Sequence, residues 1–150
     1  MGLDMYLRKK IYVGAEYEHR NVTGNIEIFV NGTPLPVNLK RVSEIEETVG
    51  YWRKANSIHK WFVDNVQDGV DECQTSYVSR EQLQTLLDIV IEVLDHPDRA
   101  ESLLPGQGGF FFGSTDYDNW YFDKLKYTKD LLEEIIKEEF SGDYYYHASW

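Results

Sequence analysis

The spacing of apolar residues changes along the chain, and this change constrains the fold more than any other feature of the sequence. From Gly2 to Tyr12, apolar and polar side chains alternate, which is the pattern of a β-strand with one buried face. From about Gly50 onwards, apolar residues recur every three or four positions, as in amphipathic helices. A strand-rich first third followed by helices predicts an α+β fold.

Further strands are predicted near both ends of the chain. Residues 25–30 and 35–39 flank the dipeptide Asn31-Gly32, which favours a tight hairpin turn. Two prolines restrict the second of these strands to a sheet edge, because proline has no N–H to donate. Residues 144–150 alternate again and are predicted to form a closing strand.

Three long helices are predicted from the apolar spacing. The first covers about residues 50–67. The second covers residues 80–95, and Ser79 with Gln82 matches the capping box that starts many helices. The third follows a capping residue at Asp116.

Two shorter segments complete the prediction. The segment from Val42 to Val49 fits either a strand or the first turn of a helix, and both interpretations stay open. Residues 100–104 fit a short helical turn. Because no repeat or linker interrupts residues 1–150, we expect a single domain, with an antiparallel or mixed sheet packed against about three helices.

Charge and cysteine content exclude several classes of protein. The net charge of −11 argues against general binding of DNA or RNA, since a polyanion is repelled. Cys73 is the only cysteine, so an intrachain disulfide is excluded, and neither a metal site nor another cofactor is predicted. The sequence has no signal-peptide pattern and no apolar run of ~20 residues, which predicts a cytoplasmic protein with no membrane association.

Aromatic residues are more numerous than a core of this size requires. The chain has 11 Tyr, 7 Phe and 4 Trp, so we expect some rings to face a ligand or a partner. In the predicted closing strand, alternation places Tyr145 and His147 on one face and Tyr144 and Tyr146 on the other.

A cationic segment is the first candidate for a functional surface. Projection of the first predicted helix at about 100° per residue places Arg53, Asn56 and Lys60 on one polar stripe, next to Trp52. A guanidinium, an amide and an ammonium together match phosphate oxygens and a base or ribose edge. The Trp52 ring is expected to stack on a nucleobase.

Other residues of the cationic segment have less specific expectations. The projection places Lys54 and Trp61 on the opposite face, away from the stripe. His59 lies within the apolar face, where it fits either a ligand contact or a hydrogen-bonded core histidine. Lys60 also has a purely structural alternative, an ion pair with Asp64 one turn further on.

The glycine-rich segment 104–116 is the second candidate. Glycine amides, the hydroxyls of Ser114 and Thr115 and a helix N-terminus are expected to form an anion-binding cradle, with Phe111 near enough to contact a base. Ser114 occupies the position where the loop of nucleoside triphosphatases needs Lys, so that class is not predicted. The structural alternative is a core strand formed by the three consecutive phenylalanines.

Four segments of the chain are distinctive: MGLDMYL (1–7), VGYWRKAN with IHKWFVDN (49–56 and 58–65), GFFFGSTDY (109–117) and the closing SW (149–150). In these segments the chain resembles a family of small, uncharacterised proteins encoded by bacteriophages and prophage regions. The resemblance extends nearly end to end and is weakest over residues 16–39. It implies a phage or mobile-element origin and a location in the cytoplasm of an infected or lysogenic bacterium. It supplies no catalytic residues.

Small accessory phage proteins often counter host defence, for example by sequestering or destroying a nucleotide second messenger. The residues and this resemblance together predict a protein that binds a small, phosphate-bearing, nucleotide-like ligand. One alternative is a metal-independent phosphodiesterase in which His59 and His147 act as general acid and base. Another is an acidic inhibitor of a host nucleic-acid-binding protein. The oligomeric state stays open, and a homo-oligomer is compatible with the sequence.

Overall fold

A computed structural model of the protein describes residues 2–14, 27–139 and 142–150. These residues confirm the α+β class. The strands that they form are β1 (Asp4–Tyr12), β2 (Phe29–Val30), β3 (Thr33–Pro34), β4 (Glu44–Arg53), β5 (Ser76–Val78) and β6 (Asp143–Ser149). The helices among them are α1 (Asn56–Val66), α2 (Arg80–Asp95), α3 (Ala100–Leu103) and α4 (Asn119–Lys137). No described helix is both long and apolar enough to cross a membrane.

The main sheet has four strands in the order β4-β1-β6-β5, and all neighbours are antiparallel. Strand β1 pairs with β4 on one side and β6 on the other, so it organises the sheet. The side chains of Met5 and Leu7 are buried on the face that packs against the helices, which we call the covered face. Tyr6 and Arg8 point to the other side, the open face, against which no described helix packs.

The core lies between the covered face and the helices. The rings of Phe62 and Tyr146 stack with centroids 4.0 Å apart and planes 7° from parallel, which joins α1 to β6. The indole Nε1 of Trp52 donates a hydrogen bond of 2.9 Å to Oγ1 of Thr128, which joins β4 to α4. Both partners are buried, so neither polar atom is left unpaired in the core.

The first predicted helix is wrong at its start. Residues 50–53 belong to β4, where Met5 of β1 pairs with Trp52, and α1 begins only at Asn56. Lys54 joins the two elements in a left-handed conformation with φ of 54°. The spacing of Trp52, Ala55 and His59 matches a helical period across this junction although the three residues do not share a helix. The open question over residues 42–49 is resolved by the same strand, which begins at Glu44.

The third predicted helix starts later than expected. Its cap is Asp118 and not Asp116: the carboxylate of Asp118 accepts a 3.1 Å hydrogen bond from the backbone N–H of Tyr121. The core strand suggested for the three phenylalanines is also wrong, because residues 110–112 form a turn. Phe112 is buried in this turn, whereas Phe110 is 95% exposed.

Other predicted elements are confirmed. Helix α2 has the predicted bounds and the reciprocal Ser79–Gln82 capping box, and α3 and β6 lie where expected. The hairpin turn has positive φ at both Asn31 (51°) and Gly32 (76°), and its first strand, β2, is shorter than predicted. The second predicted strand is wrong, because β2 pairs with Thr33–Pro34 and residues 35–39 form no strand. Residues 25 and 26 of the first predicted strand lie outside the described residues. Strand β5 was not predicted, since three residues are too few for a periodic signal.

Gly50 of β4 lies in close contact with α4. A Cβ at this position would be 2.6 Å from Cδ2 of the buried Leu131 and 3.1 Å from the Trp52 ring. We expect Gly50→Ala to lower the free energy of unfolding by about 1–3 kcal/mol, because packed side chains must move. Urea unfolding followed by tryptophan fluorescence measures this loss. Gly108→Ala is the matched control, since a Cβ there meets nothing within 4 Å; equal effects of the two changes would contradict the prediction.

Candidate functional site

The four distinctive segments of the sequence meet at one end of the main sheet. The backbone N–H of Leu3 donates to the carbonyl of Phe111 at 3.1 Å, and that of Lys54 donates to the carbonyl of Leu3 at 2.8 Å. The ring of Phe112 contacts that of Trp150 edge-on at 6.0 Å. Residues far apart in the sequence therefore come together at this end of the sheet.

Asn56 fixes the glycine-rich loop to the start of α1. Its Nδ2 donates to the carbonyls of Phe112 (3.0 Å) and Ser114 (2.8 Å), and its Oδ1 accepts from the N–H of Gln107 at 3.1 Å. The side chain is buried. Because these bonds occupy its amide, Asn56 positions the loop, and it does not project to solvent as the predicted phosphate contact would.

His59 is completely buried and has a partner on each ring nitrogen. Nδ1 lies 2.7 Å from the hydroxyl of Tyr146, and Nε2 lies 2.9 Å from Oδ2 of Asp71. Burial, with a smaller effect from the Asp71 charge, raises the pKa of Tyr146 well above its usual range, so its hydroxyl keeps its proton. Oδ1 of Asp71 accepts a 3.1 Å hydrogen bond from Nε1 of Trp150. The core histidine thereby helps to fix the orientation of Trp150.

The structure separates the two histidines considered for catalysis. His59 contacts Tyr146 on the covered face, whereas His147, one residue further along β6, lies on the open face next to Tyr6. They cannot act together on one substrate in this arrangement. Trp52 is also buried, so its ring does not offer a free surface to a base.

Arg53, Asn56 and Lys60 do not share a polar stripe, because the first of them lies on β4. The side chain of Lys60 forms the 2.7 Å ion pair with Asp64 that was its structural alternative. Arg53 ends β4 with 56% of its side chain exposed, and its Nη1 is 3.9 Å from Oδ1 of Asp4, a loose contact.

Arg53 and Lys54 instead converge on Gly2. A Cβ at Gly2 would lie 3.3 Å from Cε of Lys54 and 3.7 Å from Nη2 of Arg53. The left-handed backbone at Lys54 turns the chain here, and Lys54 makes no ion pair with any described acid. Gly2 borders a cleft of about 260 Å³, the sheet-end cleft, which is lined by Gly2, Asp4, Ser149 and Trp150.

The predicted anion cradle lies in a second, smaller cleft. Ser114 and Thr115 line it together with Lys54, Trp120 and Lys124, and also with two acids, Asp116 and Asp118. The ammonium of Lys124 lies 4.2 Å from the centroid of the Trp120 ring, and burial lowers the pKa of this amine. The cleft has a volume of about 20 Å³, enough for one water molecule and too small for a phosphate group in this conformation.

The sequence prediction missed most of the sheet-end cleft. Phe111, predicted to contact a base, is half-buried with its carbonyl bonded to Leu3. Lys54 was placed on the wrong side because a helix was assumed at residues 50–53. Ser149 and Trp150 belong to the distinctive closing segment of the sequence. That segment was the only sequence signal that could have included these two residues in the site.

Comparisons of the chain with protein-family models, with curated proteins and with solved structures find no match. Across residues 2–14, 27–139 and 142–150, no three His, Cys, Asp or Glu side chains are grouped in a way that could hold a metal ion.

The Tyr146 hydroxyl gives a test of the buried network. We expect Tyr146→Phe to lower the free energy of unfolding by about 1–3 kcal/mol, because Nδ1 of His59 loses its partner inside the core. Urea unfolding measures the change. In the control Tyr77→Phe, the lost hydroxyl is on an exposed side chain and makes no hydrogen bond to a described residue, so stability is expected to stay within about 0.5 kcal/mol. A Tyr146→Phe protein as stable as wild type would show that the bond is unimportant.

Proposed function

We propose that the protein binds a small, phosphate-bearing, nucleotide-like ligand in the sheet-end cleft. In this proposal Arg53 and Lys54 contact the phosphate, and Trp150 stacks on the base. One observation carries it: Arg53, in only a loose 3.9 Å contact with Asp4, and Lys54, which has no ion pair with a described acid, converge on Gly2. Gly2 lines a cleft of about 260 Å³ beside the exposed indole of Trp150.

Local charge supports an anionic ligand at this place. The chain as a whole carries −11 and repels anions over most of its surface, but Arg53 and Lys54 both approach Gly2, and Asp4 is the one acid among the described residues that line the cleft. A guanidinium offers a planar fork of donors and an ammonium adds a point charge, and both bind phosphate oxygens well. A small anion fits such a local site better than a long polyanion, which would extend onto acidic surface.

Trp150 supports an aromatic group on the same ligand. Its ring is 45% exposed, while its N–H is held by Asp71 and one edge contacts Phe112. A ring that is already oriented loses little conformational entropy on binding, and stacking on a base contributes about 1–3 kcal/mol. Oδ1 of Asp4 already accepts a hydrogen bond from Tyr51, and its carboxylate with the Ser149 hydroxyl can bond sugar hydroxyls.

The separation of His59 and His147 on two faces of the sheet favours binding without turnover over phosphodiester hydrolysis. In the context of the resemblance to phage proteins, the role that such binding would serve is sequestration of a nucleotide second messenger of host defence.

Isothermal titration calorimetry tests the site with a panel of mononucleotides, cyclic mononucleotides, cyclic dinucleotides and inorganic phosphate. For the ligand that binds, Arg53→Ala and Lys54→Ala are each expected to raise Kd about tenfold or more, because a hydrogen bond to a charged group contributes ~1.5–3 kcal/mol. Lys60→Ala removes the same charge from an exposed ion pair outside the cleft and is expected to leave Kd unchanged. Binding is also expected to weaken as salt is raised.

Recovery of the ligand separates binding from catalysis. After incubation the protein is denatured by heat and the ligand is analysed by chromatography. Intact ligand supports sequestration, whereas a cleaved product would show an enzyme. If Arg53→Ala and Lys54→Ala bind as tightly as wild type, or if no member of the panel binds, the proposed function is wrong.

A further inference from the structure

The open face of the main sheet carries a layer of aromatic side chains. Paired positions in neighbouring strands place these rings side by side, at Tyr6, Tyr12, Tyr51, Tyr77, Tyr145 and His147. The side chains of Tyr51 and Tyr77 are 42% and 55% exposed. A monomer has no need of so many rings on a face that no described helix covers.

The rings contact one another across the strands. Tyr6 lies between Tyr51, with centroids 5.3 Å apart, and His147, at 6.3 Å and nearly parallel. Tyr77 and Tyr145 meet edge-on at 5.9 Å. These contacts fix the rings in a broad layer, and a partner would not have to order them on binding.

Charged groups of both signs alternate with the rings. Three ion pairs lie on this face: Arg8 with Glu46 at 3.3 Å, Lys10 with Glu44 at 3.5 Å and Arg53 with Asp4 at 3.9 Å. Asp143, opposite Lys10 in β6, adds one further acid. The open face is therefore close to neutral in a protein whose net charge is −11.

Two nitrogen atoms of the open face are buried without a hydrogen-bond partner. They are Nε of Arg8 and Nδ1 of His147, and no other such side-chain atoms occur among the described residues. Arg8 and His147 sit on adjacent strands in adjacent rows of the sheet. An unpaired buried polar atom is unfavourable, so these two positions are not optimised for the hydrogen bonds of the monomer.

We propose that the open face packs against the open face of a second copy of this chain. Two acidic proteins repel each other least where their surfaces are close to neutral, as this face is. Cations and carboxylates that occur together on one face are complementary to the same face of a second copy under a two-fold rotation. Face-to-face packing about 10 Å apart is the usual association of two sheets.

Single-stranded nucleic acid is the alternative partner, because its bases stack on exposed aromatic rings. Its backbone requires an excess of positive charge along the path of the strand. Here Arg8 and Lys10 are each already paired with a carboxylate, at 3.3 Å and 3.5 Å. The observations thus favour a second copy, and this inference does not depend on the ligand proposed for the sheet-end cleft.

Sedimentation velocity over a wide range of concentrations tests the dimer. We expect a concentration-dependent dimer whose Kd rises about tenfold or more in Arg8→Glu and in Tyr77→Glu, since each places new negative charge in the contact. Lys126→Glu is the control: it makes the same charge change as Arg8→Glu on an exposed part of α4, with 65% of the side chain exposed. Circular dichroism checks that both variants fold. If Arg8→Glu does not fold, Tyr77→Glu still tests the dimer, because the side chain of Tyr77 is exposed.

Three outcomes would overturn the inference. One is a monomer at every concentration, and another is a dimer that neither change on the open face weakens. The third is a monomer that binds a fluorescent single-stranded oligonucleotide through Arg8, which would identify nucleic acid as the occupant. Ligand titration of Tyr77→Glu distinguishes the two proposals. This change leaves every residue of the sheet-end cleft in place, so the ligand is expected to bind even where the dimer is lost.

Discussion

A chain of hydrogen bonds runs from the partly exposed Asp71 through the buried His59 to Tyr146, and both the core and the candidate site depend on it. His59 belongs to α1 and Tyr146 to β6, so the chain joins the helical layer to the sheet. Polar groups are tolerated in a core only when their hydrogen bonds are made, and each of these is paired. Because the second oxygen of Asp71 holds Trp150, the interaction that stabilises the core also orients the exposed ring of the sheet-end cleft.

Several elements that depend on local sequence signals were predicted correctly. The prediction failed where a strand is followed directly by a helix. Helix α2 was correct because its capping box and apolar period agree. Alternation also assigned Tyr145 and His147 to one face of β6 and Tyr146 to the other. The β4–α1 junction was missed because apolar residues on a strand and on the next helix happened to be spaced as in one helix. The positive φ of Lys54, uncommon for a residue with a Cβ, has no signature in the sequence.

The candidate site was only partly predictable because strand register assembles it. Asp4 pairs with Arg53 on one side and with Ser149 on the other, which brings three distant segments into one row. Register depends on the whole sheet and not on any single strand. Arg53 was selected from its charge and stays a prediction. Asn56 was given the wrong role, because three backbone partners in the glycine-rich loop occupy the amide that looked suited to a ligand.

The two proposed surfaces lie next to each other on the same sheet. The row Arg53–Asp4–Ser149 borders the sheet-end cleft, and the next row, Tyr51–Tyr6–His147, belongs to the aromatic layer. Tyr51 connects the rows directly, because its hydroxyl donates to Asp4 at 2.5 Å. A ligand that competes for Asp4 would alter this contact and with it the ring of Tyr51. Two binding equilibria that share a contact are coupled. The ligand would therefore change the affinity of one copy for another by a certain factor, and association of the copies would change the affinity for the ligand by the same factor.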